Sequence, residues 1–138
     1  MTVEYRTLRP EDYETVRQFL SDLGWQSRVQ DPVRFKKMME RADRTVVAFE
    51  DSRVIGFGRA ICDGASNGYI SMVAVAEDKR GQGIGRELVR RLMAEEEGED
   101  VTWVLRAGRN SSGFWKKLGF DESKIAMERL RRSRDTTN

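Results

Sequence analysis

The sequence predicts an α+β domain with a mixed, mostly antiparallel central sheet and helices on both faces. Three observations predict this class. Residues 45–61 have the pattern of a β-hairpin, and residues 69–76 form a third, more apolar strand directly after it. Segments with apolar residues at helical spacing lie before and after these strands. Strands joined by short turns pair antiparallel, and helices with one apolar face must cover the sheet.

The first elements follow in order along the chain. Residues 3–8 alternate as a strand does, and Pro10 then opens a helix whose apolar residues recur at helical spacing up to Gly24. Asp31 and Pro32 predict the N-cap and first turn of a second helix, which we expect to end near residue 43. The hairpin and the third strand come next, so the sheet is built from consecutive strands.

The later elements begin with a strongly amphipathic helix, whose apolar stripe is Ile84, Leu88, Leu92 and Met93. Residues 101–107 predict another strand. Asn110 or Ser111 is expected to cap a short helix that closes at Gly119. A weak final strand is expected over residues 125–131.

One domain is expected from length and composition. The chain has 138 residues, of which 38% are hydrophobic and 35% charged, and this is enough apolar material for a core. No repeat or low-complexity linker divides it. We therefore expect a single domain over residues 1–131 and a frayed tail over residues 132–138.

Charge and apolar content exclude several partners. The formal net charge is only +2, which argues against nucleic acid as the main partner. No apolar run approaches the roughly 20 residues that span a bilayer, and the charged first residues do not form a signal peptide. We expect a soluble, cytoplasmic protein that binds neither nucleic acid nor membrane.

The residue types also limit the chemistry. Cys62 is the only cysteine and there is no histidine. Intrachain disulfides, metal sites built from cysteine and histidine, and triads with an imidazole base are therefore excluded. Nothing in the spacing of the carboxylates suggests a metal site, so no metal is expected.

A glycine-rich turn between the third strand and the next helix predicts an anion site. Gly81, Gly83 and Gly85 leave the main chain bare, and amide groups at a helix N-terminus bind phosphates well. Arg80 and Arg86 add positive charge at the two ends. The Rossmann and Walker phosphate motifs both fail on residue identity at this turn.

Two segments closely resemble a known family. The stretch VAVAEDKRGQGIGRELV (residues 73–89) is similar to the acetyl-CoA-binding motif of the GNAT N-acetyltransferases, and GFWKKLGF (residues 113–120) resembles that family's second motif. The order of strands and helices matches as well. The resemblance implies the acyl-CoA N-acyltransferase (GNAT) fold and an enzyme that moves an acetyl group from acetyl-CoA to a primary amine. The acceptor would be a small molecule or a peptide, and a homodimer is a candidate assembly.

The resemblance also implies roles for particular residues. The turn would hold the pyrophosphate, and the end of the third strand would pair with the pantetheine arm where this strand splays from its neighbour. The Val73 amide would act as an oxyanion hole for direct attack by the amine. The residues implied for cofactor binding are Val73, Ala74, Val75, Arg80, Gly81, Gln82, Gly83, Ile84, Gly85, Arg86, Asn110 and Trp115.

The proton-transfer groups depart from the family pattern. Trp115 stands where the family often has a tyrosine that protonates the thiolate, and an indole N–H is no general acid. We expect Ser111 or Ser112 to hydrogen-bond the thiol instead. Tyr69 is the candidate base, with a water relay or an amine already neutral in part as the alternative.

The acceptor pocket and the overall activity leave alternatives open. Trp25 and Arg28 lie where the family builds its acceptor pocket, and Arg28 would meet an acidic group of the acceptor. The alternative to an enzyme is an acetyl-CoA-binding sensor or accessory protein with little catalysis, which Trp115 would permit.

Overall fold

A computed structural model describes residues 2–94 and 100–131 of the chain. The chain forms two compact units, Met1–Arg106 and Ala107–Asn138. The first unit holds one five-stranded sheet made of β1 (Glu4–Arg6), β2 (Arg44–Glu50), β3 (Arg53–Cys62), β4 (Asn67–Val75) and β5 (Thr102–Leu105). The strands lie in chain order, with antiparallel pairing up to β4 and parallel pairing between β4 and β5. The mixed, mostly antiparallel sheet is confirmed.

The helices of this unit are α1 (Tyr13–Leu20), α2 (Gln26–Val29), α3 (Pro32–Glu40) and α4 (Ile84–Met93). The segment Ser21–Trp25 joins α1 to α2 across a kink, where Gly24 takes a φ of 95°. The predicted cap of α3 is confirmed, because the Asp31 side chain accepts hydrogen bonds from the Val33 and Arg34 amides. α3 ends three residues earlier than expected.

One face of the sheet is covered by α1, α2 and α3. Their apolar residues form a single buried cluster with inward residues of β2, β3 and β4, namely Val16, Leu20, Val29, Phe35, Met39, Val47, Val54, Phe57, Met72 and Ala74. Met72 and Ala74 recur at period two along β4, so Val73 between them must face the other side.

The other face of the sheet is covered by α4, which approaches β3 closely. A Cβ on Gly58 would lie 2.8 Å from Cδ1 of Leu92, and a Cβ on Gly56 would lie 3.1 Å from Cδ1 of Leu88. The two glycines of β3 therefore provide the space in which the apolar stripe of α4 packs. Helices on both faces are confirmed.

The second unit contains α5 (Ser112–Lys117). Gly119 closes it with a φ of 94°, and the Phe120 amide returns a hydrogen bond to the Trp115 carbonyl. The strand predicted over residues 125–131 is wrong: these residues are not in a strand, and Ile125 and Met127 are more than 90% exposed. A segment with alternating apolar residues forms a β-strand only where a neighbouring strand is available to pair with it. The tail predicted over residues 132–138 lies outside the described residues.

Within residues 2–94 and 100–131, none of the helices has both the length and the apolar content required to cross a bilayer.

Candidate functional site

The glycine turn presents a series of uncommitted amides. Gly81 and Gly83 have φ values of 79° and 85°, and Gly83 is the N-cap of α4. The amides of residues 81–86 donate hydrogen bonds to none of the described residues. A Cβ added at Gly81 or Gly83 would meet nothing within 4 Å, so the space beside the main chain of both residues is open. The turn has the geometry of an anion cradle at a helix N-terminus.

The side chains around the turn either anchor it or remain outside it. Ile84 is 3% exposed and secures the start of α4 in the core, so only its amide can serve a ligand. Gln82, Arg80 and Arg86 are exposed. Gly85 lies in the first turn of α4, where its lack of a side chain keeps the main chain accessible.

Ion pairs fix the segment that leads into the turn. Lys79 Nζ lies 2.6 Å from a Glu50 carboxylate oxygen, and both side chains are largely buried. Arg53 contacts both oxygens of Asp78, at 2.8 and 2.9 Å. Because Glu50 and Arg53 flank the tip of the β2–β3 hairpin, these contacts tie the turn to the rigid sheet.

Strand β4 contains one surplus residue. Ala60 of β3 pairs with Ile70 and Arg59 pairs with Met72, so Ser71 has no residue opposite it. This arrangement is a β-bulge. A bulge shifts the alternation of main-chain groups and side chains by one residue for the remainder of the strand.

The shifted alternation determines which amides of β4 face outward. Before the bulge the main-chain N–H and C=O groups of the even-numbered residues point toward β5, since the Thr102 amide donates to the Ser66 carbonyl at 2.8 Å. After the bulge the main-chain groups of the even-numbered residues point toward β3. The Ala76 amide, for example, donates to the Ile55 carbonyl at 2.9 Å. Odd-numbered residues after the bulge therefore face away from β3.

An open edge results at the C-terminal half of β4. Its pairing with β5 ends where Ile70 lies opposite Leu105, while β4 itself continues to Val75. Among the described residues no strand pairs with β4 beyond this point on that side. The main-chain groups of Val73 and Val75 face this edge, and Arg80 Nε donates to the Val75 carbonyl at 3.3 Å.

Ala74 behaves differently from its two neighbours. It pairs with Phe57 and directs its main-chain groups toward β3, and its side chain is buried in the core cluster. A ligand along the open edge would therefore meet the main-chain groups of Val73 and Val75 and not those of Ala74.

A buried arginine lies beside the bulge and was not predicted from the sequence. Arg59 is 7% exposed, its Nη1 donates to Ser71 Oγ at 2.8 Å, and its Nε donates to the Met38 carbonyl at 3.2 Å. Nη2 donates to none of the described residues. The sequence held one signal: Arg59 alternates with Phe57 along β3, on a strand face where an apolar residue is expected.

Two residues that were predicted to act on the acceptor, Arg28 and Tyr69, affect the pKa of this arginine. Burial lowers the pKa of Arg59, the charge of Arg28 lowers it further, and Asp43 and Tyr69 act in the opposite direction. The Arg28 guanidinium in turn lies 5.3 Å from the centroid of the Trp25 ring. Arg28 and Tyr69 thus act on the buried cation and Trp25 contacts Arg28, while the roles of all three stay predictions.

The second unit holds the remaining predicted residues. Ser111 takes the N-cap position of α5, but its hydroxyl donates to the Gly108 carbonyl at 2.6 Å. Ser112 is exposed, and Asn110 has a φ of 59°. Trp115 is 8% exposed and packs edge-on against Phe114 and Phe120, with ring centroids 4.9 and 5.4 Å away. The Ser111 proton is therefore committed, and the Trp115 ring has a packing role.

The described residues offer no alternative centre built on a metal. In this part of the chain no group of three histidine, cysteine, aspartate or glutamate residues could hold a metal ion.

The site geometry can be compared with known proteins. The family model described as an acetyltransferase (GNAT) domain matches residues 41–122, which include β2 to α5 and the glycine turn. A protein from Xanthomonas campestris pv. campestris, described as belonging to the GNAT family, has a similar structure. The TM-score is 0.79 at 21% identity, over 95% of this chain and 94% of that one. At this identity the likeness shows the fold.

Two curated relatives cover most of this chain. Serotonin N-acetyltransferase 2, chloroplastic, of Oryza sativa subsp. japonica is 30% identical over 116 residues, which are 79% of this chain and 56% of that protein. The uncharacterized N-acetyltransferase ycf52 of Pyropia yezoensis is 27% identical over 111 residues, which are 76% of this chain and 62% of that protein. The chain thus spans about three fifths of the length of these relatives.

Proposed function

This chain belongs to the GNAT acetyltransferase family, and from that premise we propose that it transfers an acetyl group from acetyl-CoA to a primary amine of a small molecule or peptide. The observation that carries the proposal is the series of amides at residues 81–86, which donate to no described residue at the start of α4. Such a series fits a diphosphate, and the diphosphate is the anionic centre of coenzyme A.

The turn and the open edge of β4 would share the cosubstrate. The amides of residues 81–86 would bind the diphosphate, with Arg80 and Arg86 adding charge. The main-chain groups of Val73 and Val75 would bind the amide-containing arm as a neighbouring strand would. The openings in front of Gly81 and Gly83 support this assignment, because a side chain there would fill them.

The Val73 amide is the candidate donor for the acyl oxygen. Bound acetyl-CoA supplies an acyl group activated as a thioester. A main-chain N–H fixed in a sheet needs no reorganisation when charge develops on the carbonyl oxygen, and removal of such a donor in other enzymes costs roughly 10²–10³ in rate. The bulge at Ser71 makes this possible, because it turns the Val73 amide away from β3.

Proton handling would depend on few side chains. The amine has to lose a proton before or during attack, and Tyr69 lies on the sheet face that carries Arg59. We propose Tyr69 as the base, with water or a partly neutral amine as the alternative. For the thiolate, Ser112 is the better proposal than Ser111, since the Ser111 hydroxyl already donates to Gly108.

A second candidate function follows from Trp115. Its indole is packed between Phe114 and Phe120 and offers no ionisable hydroxyl. A protein that binds acetyl-CoA as a sensor, with little turnover, would tolerate this residue. The enzyme remains our first proposal because the Val73 amide and the anion cradle need no acid to work.

We extend the proposal to the whole chain. The family match at residues 41–122 runs across both compact units, which supports residues 1–131 as one acetyltransferase domain. We also propose a cytoplasmic protein, and a homodimer as a candidate assembly, because β5 is an edge strand with Val104 45% exposed.

Thiol release tests the proposed function. Purified protein with acetyl-CoA and a panel of amines should release free thiol in an amine-dependent manner, and calorimetry should show acetyl-CoA binding. In Gly83→Glu a carboxylate would stand in the anion cradle, so we expect affinity for acetyl-CoA to fall at least 100-fold. Gly119→Glu is the matched control, because Gly119 also has a positive φ and open space around it.

The outcomes separate the two candidate functions. Amine-dependent thiol release supports the enzyme, whereas tight acetyl-CoA binding without release supports the sensor. If Gly83→Glu binds acetyl-CoA as tightly as the wild type, the turn is not the diphosphate site.

A further inference from the structure

Arg59 carries a buried charge that the described residues do not neutralise. Its two bonds go to a neutral hydroxyl and a neutral carbonyl, and no carboxylate of the described residues lies within ion-pair distance. Asp43, whose charge acts on it, instead accepts a hydrogen bond from the Cys62 amide at 2.8 Å. A buried charge is costly unless a counter-charge and hydrogen bonds offset the loss of water.

A second cation lies close to the first. The charge of Arg28 is near enough to act on Arg59, and two like charges in one place repel each other. Arg28 is exposed at the end of α2, against the Trp25 ring. Two guanidinium groups with an adjacent hydroxyl, that of Ser71, form an arrangement that an oxyanion would complete.

We propose that the acceptor amine also carries an anionic group, a carboxylate or a phosphate, which Arg59 and Arg28 bind. The inference rests on the proposed function and deepens it by naming the class of substrate. Guanidinium groups bind both kinds of oxyanion through paired N–H donors, and Nη2 of Arg59 has its donors uncommitted among the described residues.

The position of Arg59 limits the size of the acceptor. Its partner Ser71 precedes Val73, the proposed acyl-oxygen donor, by two residues on the same strand. At about 3.3 Å per residue the two positions are roughly 7 Å apart. The acceptor would therefore be compact, with its amine and its anionic group a few bonds apart.

A purely structural role makes a different prediction. Arg59 also links α3 to the bulge through Met38 and Ser71. If that were all it did, its replacement would lower stability and reduce turnover of anionic and neutral amines by the same factor. Discrimination between matched amines therefore separates binding from support.

Two matched pairs of amines provide the test. The kcat/KM for β-alanine is compared with that for β-alaninamide, and that for O-phosphoethanolamine with that for ethanolamine. We expect the wild type to favour the anionic member of at least one pair tenfold or more, and the pair that shows it identifies carboxylate or phosphate. In Arg59→Gln the ratio of the two kcat/KM values should fall toward one. Arg34→Gln is the control, because Arg34 is an exposed arginine of α3, and this variant should keep the wild-type ratio.

Further measurements keep the test decisive. Thermal unfolding shows whether Arg59→Gln is folded, and if it is not, Arg28→Gln at the surface should lower the ratio at least threefold. Calorimetric titration with each anionic amine gives binding without turnover. If no amine releases thiol, the proposed function fails, whereas saturable anion binding that Arg59→Gln abolishes still supports this inference.

Two results would overturn it. One is a wild type that acetylates neutral and anionic members equally. The other is an unchanged ratio in folded Arg59→Gln.

Discussion

The amide of Val73 faces the open edge of β4 only because Ser71 is surplus to the ladder. At this position the proposed chemistry depends on a main-chain group, so the identity of the side chain matters little. The Val73 side chain itself lies on the face of α4, opposite Gly58. A substitution that removes the N–H therefore tests the proposal more directly than one that changes the side chain.

Val73→Pro should lower kcat for acetyl transfer by roughly 10²–10³-fold, since proline has no N–H to donate. The bonds between β3 and β4 should survive, because this N–H does not point toward β3 and proline is tolerated at such edge positions. Val73→Ala is the control that keeps the N–H and should retain most of the wild-type kcat. Steady-state kinetics and acetyl-CoA titration measure the effect, and equal kcat values in both variants would contradict the role.

At the level of single residues the sequence predicted the glycine turn and missed the buried cation. Alternating glycines need no tertiary context, because their conformational freedom is intrinsic. Arg59 could be recognised only from its partners in the structure. Its hydrogen bond to Ser71 depends on the bulge, and no local pattern in the sequence indicates the bulge. Trp25 and Arg28 were predicted from position along the chain, and the effect of the Arg28 charge on Arg59 adds a physical reason for Arg28.

Between elements, β5 approaches β4 closely at Gly68. A Cβ on Gly68 would lie 2.4 Å from two ring carbons of Trp103. Trp103 in turn lies on β5, opposite Gly68 in the parallel ladder. The short parallel pairing therefore requires a residue without a side chain at this point, and this pairing defines where the open edge begins.

Gly68→Ala should lower the free energy of unfolding by about 1–3 kcal/mol, because the rigid indole cannot yield without loss of its packing. Urea or thermal denaturation measures the change. Gly108→Ala is the control, since a Cβ there meets nothing within 4 Å, and its unfolding free energy should stay close to that of the wild type. Similar stability of both variants would show that the indole adjusts freely.

Elements with local signals were predicted well. The β2–β3 hairpin, the Asp31 cap of α3 and the helix after the glycines all follow from turn residues, caps and periodicity. The strand expected over residues 125–131 was wrong because pairing is not a local property. The kink at Gly24 agrees with the predicted end of the first helix, but the short helix α2 that follows it was not predicted, since four residues are too few to show an apolar period.

Across the part of the molecule that the structure describes, five carboxylates are held in their charged form by hydrogen bonds. The pKa is lowered at Asp12, Glu14, Asp63, Asp78 and Glu87. At Glu87, hydrogen bonds from Arg90 and then Arg91 lower the pKa to about 2 from an ordinary value of 4.5. At Asp78, the Arg53 guanidinium lowers the pKa to about 2.

Stability should therefore decline in acid. A carboxylate whose folded pKa is lowered contributes stability above its unfolded pKa, and the contribution is lost as the pH falls through the folded value. We expect the free energy of unfolding to fall between about pH 4.5 and pH 2. Urea unfolding at pH 7, 4 and 3 measures the slope, which Glu87→Gln should reduce.

Glu11→Gln is the matched control for the acid experiment. Glu11 is exposed and makes no hydrogen bond to a described residue through its side chain, so its replacement should leave the slope as it is in the wild type. An equal slope in the wild type and Glu87→Gln would contradict the proposed contribution of the Arg90 and Arg91 contacts.

The surplus residue of β4 has a consequence for how mutations in this gene would behave. The number of residues in β4 determines which main-chain groups face the open edge and which face β3. Loss of the single codon for Ser71 would therefore exchange these two groups of residues from that point to the end of the strand. An alanine scan preserves the count and would pass over this dependence. A library of insertions and deletions across residues 69–75 would reveal this dependence, since activity would require the correct number of residues there and would tolerate many substitutions.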